Sequence, residues 1–453
     1  MKKIAFSGAA GNGISPLEQI MSLKGYTVYG SDHSFDIGKN IDRKQALEDV
    51  GINIVPQDGS MITSDIEYLC ISAAINENNP DIKAAREKNI PIIFRSDLLQ
   101  KIMSEYKYGI AIGGTAGKTT TTAMIGYVLD SLNKSPCMIN GGVLCNFCSR
   151  KGIPNYIYNE GEICVIEADE SDGSIKKYNP FVGIINNISH DHTSMEKLIE
   201  YFNCFANNSE NIVVNLDCPN ASRIKHHSRK TFSIKNPSAD FYASEITTVS
   251  DGVEYTILGK KFKLNILGSF NVSNALATIA ACSLLGLKPT DVAKTLEGFS
   301  GVKTRLEKIG TVNNVTVYND FAHNPSKIEA SLSTLKDYPG RIIAMYQPHT
   351  PFSAINTGDE IATAIANVLS SNDIMILQEI YELTPADVGI TSQNIVNKIK
   401  EKGHNLALFL PTKNDTEKFI LENVQTGDKI IIMGAHDNSL ADFSRELLRK
   451  LTF

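Results

Sequence analysis

The sequence predicts an α/β protein of three successive doubly wound units. Short apolar runs alternate with helical patterns along nearly the whole chain, the rhythm of parallel sheets covered by helices. Two glycine-rich stretches, Gly8 to Gly13 and Gly113 to Gly117, each fall between an apolar run and a helical pattern. With 453 residues and roughly 150 residues per domain, three units fit the length.

The first unit covers residues 1–107. Lys3 to Ser7 reads as a strand, then come a glycine loop and a helix from Ser15 to Lys24. Tyr26 to Tyr29 reads as a second strand, ending at Gly30-Ser31-Asp32. Tyr68 to Ser72 and Pro91 to Phe94 read as later strands, with a helix over Asp81 to Lys88. This is a Rossmann-like pattern. The second unit, 108–299, opens with a strand over Tyr108 to Ile112, a glycine loop and a helix from Thr119 to Leu132. Strands follow at Ile163 to Glu167, Val182 to Asn186 and Ile212 to Asn215. Residues 241–267 lack helical period and predict a small antiparallel patch turning at Asp251-Gly252. Helices over Asn274 to Leu285 and Thr290 to Leu296 close the unit. The third unit, 300–453, is again Rossmann-like. Its strands lie at Val315 to Tyr318, Arg341 to Met345, Ile374 to Leu377, Ala407 to Leu410 and Ile430 to Met433.

Composition excludes several classes. The formal net charge of -6 argues against a general hold on nucleic acid. No apolar run reaches the roughly 18 residues of a membrane span. Eight cysteines in a chain this long make no dense disulfide framework, so reduced cysteines and a cytoplasmic location are expected. Cys145 and Cys148 form a lone C-x-x-C with no second pair, weak ground for zinc.

The strongest chemical signal is Gly114-Thr115-Ala116-Gly117-Lys118-Thr119 between strand and helix. Glycines let backbone N–H groups turn inward around phosphate oxygens, and the helix N-terminus adds positive potential. Lys118 is placed to reach β- and γ-phosphates, and the Thr119 hydroxyl to ligate Mg²⁺. Ile112 stands where a strict P-loop has glycine, so this is a shortened P-loop ATPase-like variant. The front loop, with Gly8, Gly11 and Gly13, has the order G-x-x-G-x-G, wrong for a standard NAD site but compatible with a nucleotide diphosphate. Asp32 ends the second strand, where a carboxylate can accept from a sugar hydroxyl. Glu167-Ala168-Asp169-Glu170-Ser171-Asp172 follows a buried strand beside the phosphate loop, which suits Mg²⁺. Asn187-Ile188-Ser189-His190-Asp191-His192 follows another.

Together these motifs resemble the Mur ligase family, ATP-dependent enzymes that form peptide bonds in cell-wall precursors. The resemblance covers essentially the whole chain and is nearest the alanine-adding branch. Gly114 to Thr120 is similar to the family's G-T-x-G-K-T-T loop, with Ala116 where the branch has His. The E-A-D-E-S-D run implies that Glu167 ligates Mg²⁺, and the N-I-x-x-D-H segment places His192 on a second metal ion. Asn271 and Asn274 match a nucleotide-contacting N-x-x-N-A helix start, with Phe270 replacing a preceding His. Gly301 to Glu307 resembles the entry to the third domain, where Arg305 reaches ATP phosphates. Asp320 to Pro325 resembles D-[YF]-x-H-H-P, with Asp320 at the ATP ribose and Asn324 in place of the second His. Gly8, Gly11, Gly13, Ser31, Asp32 and Ser72 resemble the UDP-binding end. His190, His323 and His349 are implied on the amino-acid side, and Thr350 replaces the Arg of Q-P-H-R.

The resemblance implies an ATP- and Mg²⁺-dependent ligase acting on UDP-N-acetylmuramate and an amino acid, L-alanine first, through an acyl phosphate. Lys118, Glu167, His192 and Arg305 would form its catalytic set. The motifs are also similar to the branch that attaches a tripeptide instead. A non-catalytic nucleotide-binding switch on the same fold is the reading of another class. The general base stays open among His190, Asp191 and His323.

Overall fold

The structure, a computed structural model, describes residues 2–189, 193–381, 389, 391–435 and 437–451, with the side chains of 352 and 353 left aside. The chain divides into two compact units, Met1–Thr247 with Gly252–Val302, and Lys303–Phe453 with Thr248–Asp251.

The first unit holds two sheets. The front sheet has five parallel strands, β1 (Lys3–Ser7), β2 (Thr27–Ser31), β3 (Asn53–Val55), β4 (Ile66–Ile71) and β5 (Ile92–Phe94), in the order 3-2-1-4-5. The apolar sides of β1 and the helix Ser15–Leu23 meet through Ile4, Phe6, Leu17 and Ile20, all buried. Pro16 in the first turn of that helix costs nothing, because its missing N–H would have had no intrahelical partner.

The second sheet has ten strands: β6 (Tyr108–Gly113), β7 (Cys137–Ile139), β8 (Tyr156–Ile157), β9 (Ile163–Glu167), β10 (Val182–Ile185), β11 (Asn211–Asn215), β12 (Arg229–Ser233), β13 (Phe241–Val249), β14 (Gly252–Ile257) and β15 (Lys260–Leu264). Their order is 15-14-13-12-11-10-6-9-7-8. β6 lies between β9 and β10 and is parallel to both, pairing Ile112 with Glu167 and Gly113 with Ile185. The C-terminal ends of three strands therefore open at one edge, where ligands gather in α/β sheets.

One apolar cluster runs unbroken from Phe6 of the front sheet and Leu17 of its first helix through Ile139 and Ile166 to Phe202. Polar groups reinforce the joint. The buried Gln19 side chain donates to Ile153 O at 3.1 Å and accepts from Ile153 N at 2.8 Å, and Asn155 Nδ2 donates to Ser15 Oγ at 3.0 Å.

The patch over 241–267 is the run β13, β14 and β15, neighbours in that order, with β14 and β15 antiparallel and β13 joined to the rest of the sheet by a parallel pairing with β12. Its first turn falls at Ser250-Asp251, one residue before the Asp251-Gly252 expected. Gly252 instead opens β14, and a Cβ there would lie 1.9 Å from Leu264 O. The glycine serves close strand approach, not turn geometry. The helix expected from Asn274 begins at Ser269, which places Asn271 and Asn274 in its first two turns. Short strands β3, β7, β8 and β12 and the helix Met195–Asn208 add to the elements read from sequence.

The second unit contains a six-stranded sheet of β16 (Glu307–Val312), β17 (Val315–Asp320), β18 (Ile342–Gln347), β19 (Ile374–Leu377), β20 (Ala407–Phe409) and β21 (Lys429–Gly434), in the order 16-17-21-18-19-20. β16 is antiparallel to β17, and the other neighbours are parallel. Among the described residues no helix is long and apolar enough to cross a membrane.

Candidate nucleotide site

The phosphate loop leaves β6 at Gly113 and enters the helix Lys118–Ser131. Gly117 caps that helix at φ +83°, and a Cβ there would lie 2.7 Å from Asn274 Oδ1. No other residue type fits both the left-handed backbone and the space.

Asparagines brace this loop. Asn187 Oδ1 accepts from Ala116 N at 2.8 Å and from Thr115 Oγ1 at 2.7 Å, and its Nδ2 donates to Ala116 O at 3.0 Å. Behind the loop, Asn186 Nδ2 donates to Thr121 Oγ1 at 3.0 Å and Thr121 Oγ1 donates to Asn274 Oδ1 at 3.2 Å. Asn274 Nδ2 donates to Asn271 Oδ1 at 3.0 Å, and Asn271 Nδ2 to Leu267 O at 2.7 Å. Asn271 and Asn274 are thus committed to holding the loop from behind. Sequence reasoning missed Asn186 and Thr121, and it gave Asn187 no part in the loop. The Asn187-Ile188-Ser189 motif was visible, but its clamp on Thr115 and Ala116 depends on the β6–β10 register. Thr120 lies half-buried in the first turn of the helix.

Thr119 Oγ1 donates to Glu167 Oε2 at 3.3 Å, and Gly141 N donates to Glu167 Oε1 at 2.6 Å. A hydroxyl and a carboxylate converging beside a phosphate loop form the all-oxygen set that Mg²⁺ prefers. His190, Asp191 and His192 lie outside the described residues. Lys118 Nζ donates to Gly114 O at 2.7 Å and to Glu170 Oε2 at 2.8 Å. Burial alone would lower the Lys118 pKa, but the carboxylates of Glu170 and Asp169 outweigh it and hold the ammonium above its ordinary value. Burial also acts on Asp169, yet Lys118, the Ser171 N–H and Arg95 keep this carboxyl below its ordinary value.

In the front sheet, Gly8 N and Ala9 N donate to Ser31 O at 2.8 and 3.0 Å, closing the Gly8–Gly13 loop over β2. Two residues expected at the UDP end have partners within the protein. Asp32, expected to accept from a sugar hydroxyl, also serves the loop. Its Oδ2 already accepts from Ala10 N at 3.0 Å, and its Oδ1 caps the next short helix through Ser34 N at 2.9 Å. Ser31 is fully buried, and its hydroxyl donates to Asp81 Oδ2 at 2.6 Å. Ser7 Oγ and Gly59 N also donate to Asp81, at 3.0 and 3.1 Å. The Ser31 hydroxyl is therefore tied into the sheet. Ser72 sits half-buried just past β4, its carbonyl accepting from Ile75 N at 3.2 Å. Arg95 packs against Gly13 and lies 3.9 Å from Asp169, placing a cation beside the front loop that sequence reasoning passed over.

On the second unit, β17 ends at Asp320, which is buried. Its Oδ1 accepts from Leu306 N at 3.1 Å and its Oδ2 from Ser331 Oγ. Burial raises its pKa, and Ser331, the Leu306 N–H and the Arg305 cation offset part of the rise. Arg305 lies between Thr304 and Leu306, both with left-handed backbones, and its guanidinium sits 5.0 Å from the Phe321 ring centre. His323 Nδ1 lies 2.8 Å from Phe321 O, and the His323 and His349 rings meet edge-on at 5.6 Å. Asn324 caps the following helix by accepting from Lys327 N at 3.0 Å, a local reason for Asn at that position.

Cys145 and Cys148 are free thiols, and Cys148 is exposed. Among the described residues no three His, Cys, Asp or Glu side chains group to hold a metal ion.

Comparison with known proteins matches three family models in order along the chain. They are the Mur ligase family catalytic domain at residues 3–107, the Mur ligase middle domain at 112–282 and the Mur ligase glutamate ligase domain at 304–436. The UDP-N-acetylmuramate–L-alanine ligase of Dictyoglomus turgidum is 35% identical over 96% of this chain and 94% of its own. The protein of that name from Agathobacter rectalis is 33% identical over 99% and 98%. The crystal structure of the UDP-N-acetylmuramate-alanine ligase of Thermotoga maritima superposes with a TM-score of 0.82 at 28% identity, covering 99% of this chain and 98% of that one. A murein peptide ligase from Psychrobacter arcticus shares the fold, with a TM-score of 0.70 at 21% identity and coverage of 100% and 99%. With its three family segments in order and relatives at this identity over nearly its full length, the chain belongs to the Mur ligase family.

Proposed function

We propose that this chain is an ATP-dependent ligase that joins the carboxylate of UDP-N-acetylmuramate to the amine of L-alanine, in the synthesis of peptidoglycan precursors. The observation that carries the reading is that Lys118 and Thr119 of the phosphate loop each meet a carboxylate of one acidic run, Glu170 and Glu167, in a chain whose relatives at this identity bear that activity in their names.

A carboxylate is a poor electrophile, so it must be activated. Its oxygen attacks the γ-phosphorus of ATP, ADP leaves, and an acyl phosphate forms. The amine nitrogen then attacks the acyl carbon, phosphate leaves, and the nitrogen gives up a proton. The protein's work is positioning and charge neutralisation. In this proposal the backbone of Gly114–Gly117 cradles phosphate oxygens and Lys118 supplies the fixed cation. Thr119 and Glu167 would hold Mg²⁺, with His192 as a proposed ligand of a second ion. Bound Mg²⁺ supplies further positive charge for the phosphate oxygens. Arg305 and Asp320 keep the nucleotide-directed roles that their motifs imply. The front loop, closed by Asp32 and flanked by Arg95, is assigned the UDP diphosphate.

Phosphate release with ATP and UDP-N-acetylmuramate, measured against a panel of amino acids and the L-alanyl-D-glutamyl-diaminopimelate tripeptide, tests the reading. Release with L-alanine alone is expected. Release with the tripeptide alone would move the chain to the recycling activity, and no amine-dependent release at all would leave a nucleotide-binding switch.

A further inference from the structure

Lys118 does not stand open to a ligand. It folds back across its own loop, with Nζ on Gly114 O at 2.7 Å, and it is gripped by both oxygens of Glu170 at 2.8 and 3.1 Å. Only 17% of the Lys118 side chain and 5% of the Glu170 side chain reach solvent. Asp169 adds a second carboxylate at 4.0 Å. A charge-assisted, two-point ion pair shielded from water is far stronger than an exposed one. Glu167, on the same acidic run, is engaged by Thr119 and Gly141 instead. Glu170 is thus the carboxylate hydrogen-bonded to the ammonium, and Glu167 adds to the field on Lys118 from its place beside the Thr119 hydroxyl.

We propose that Glu170 is the positioning residue of the phosphate loop, holding Lys118 in a self-neutralised state that an incoming nucleotide must displace. This rests on reading Gly114–Thr119 as a nucleotide loop. An anion that draws on Lys118 does so in competition with a carboxylate already bound to it. Nucleotide affinity is therefore the difference between two ion pairs rather than the strength of one. A consequence is that Glu170 weakens the hold on every nucleotide, spent product included.

The test is calorimetric titration of the full chain with ADP and with a non-hydrolysable ATP analogue. Glu170→Gln keeps the size of the side chain and removes the charge. It is expected to bind both nucleotides roughly tenfold more tightly than the parent chain, the scale of one charge-assisted hydrogen bond. In a Lys118→Ala background the same change is expected to move affinity less than about twofold, because no ammonium remains to be released. A purely structural Glu170 would leave affinity unchanged or weaken it, and either result in a cooperatively melting variant overturns the proposal. Equal tightening in both backgrounds also overturns it, since Glu170 would then be repelling the nucleotide directly. If Glu170→Gln does not fold, Glu170→Asp retains the charge at a shorter reach. Affinity for ADP equal to that of the parent chain in that variant would overturn the idea as well. Failure of the parent chain to bind the analogue would instead remove the nucleotide-loop reading.

Discussion

Thr119 and Glu167, 48 positions apart, meet where β6 and β9 end, the Thr119 hydroxyl donating to Glu167 Oε2 at 3.3 Å. The contact follows from the parallel register that pairs Ile112 with Glu167. Glu167→Gln preserves the shape of this meeting point and removes its charge. Phosphate release by the variant should need more Mg²⁺ for half-maximal rate, and the maximal rate should fall by about 10²-fold. Removing Mg²⁺ with a chelator should abolish turnover in the parent chain. His192→Gln should likewise shift the Mg²⁺ dependence. An unchanged Mg²⁺ profile in both variants would return the two motifs to structural turns.

Lys118→Ala should remove the fixed cation of the loop and lower the melting temperature, since it leaves the buried Glu170 carboxylate without its partner, while the braces on Ala116 and Thr121 from Asn187 and Asn186 stay in place. A loss of about 3 kcal/mol or more of transition-state stabilisation, roughly 10²-fold in rate, is expected. Near-normal turnover in the purified variant would sink the phosphate-loop assignment.

The front loop should prefer UDP to NAD. Its glycine order differs from the dinucleotide fingerprint, and Asp32, which would accept from a ribose in that fingerprint, is occupied by Ala10 N and Ser34 N. Titration of the full chain with UDP and with NAD should show binding of UDP alone. Arg95→Ala should weaken UDP more than uridine, because the guanidinium beside Gly13 acts on the diphosphate. Tighter binding of NAD would overturn the front-loop assignment.

Glu18 makes stability depend on pH. Its carboxyl is fully buried beneath the front loop, and neither oxygen has a hydrogen-bond partner among the described residues. Burial, then the Asp32 carboxylate, push its pKa well above the ordinary value, with Arg43 offsetting part of the rise. The folded chain therefore keeps a proton that the unfolded chain has lost. Stability is full below the ordinary carboxylate range and is lost as pH rises toward the folded value. Glu18→Gln removes this slope. The variant should melt with the parent chain near the ordinary carboxylate pKa and be more stable at pH 8 by about 1–3 kcal/mol. Melting curves at both pH values decide the matter, and parallel pH profiles would refute it.

Local pattern carried much of the architecture. A period of two or of 3.6 lies in neighbouring residues, so Lys3 to Ser7, Tyr108 to Ile112 and Ile430 to Met433 were legible as strands before any contact was known. The phosphate loop was legible for the same reason, because strand, glycine turn, Lys118 and helix are consecutive. Short strands such as Cys137–Ile139 were not, since three residues carry no period of their own and gain their hydrogen bonds from strands distant in sequence. The division of labour within Glu167 to Asp172 was equally hidden. Four acids in six residues look alike in sequence, and only the β6–β9 register aims Glu167 at Thr119 and the turn after it carries Glu170 to Lys118. Ser31 and Asp32 sit at the strand end where ligand groups are expected, yet tertiary packing gave one to Asp81 and the other to Ala10 and Ser34. Which residue types a site contains is written along the chain. Which partner satisfies each polar group is decided by non-local geometry, because a buried donor or acceptor takes whatever complementary group the packed sheets bring within about 3 Å.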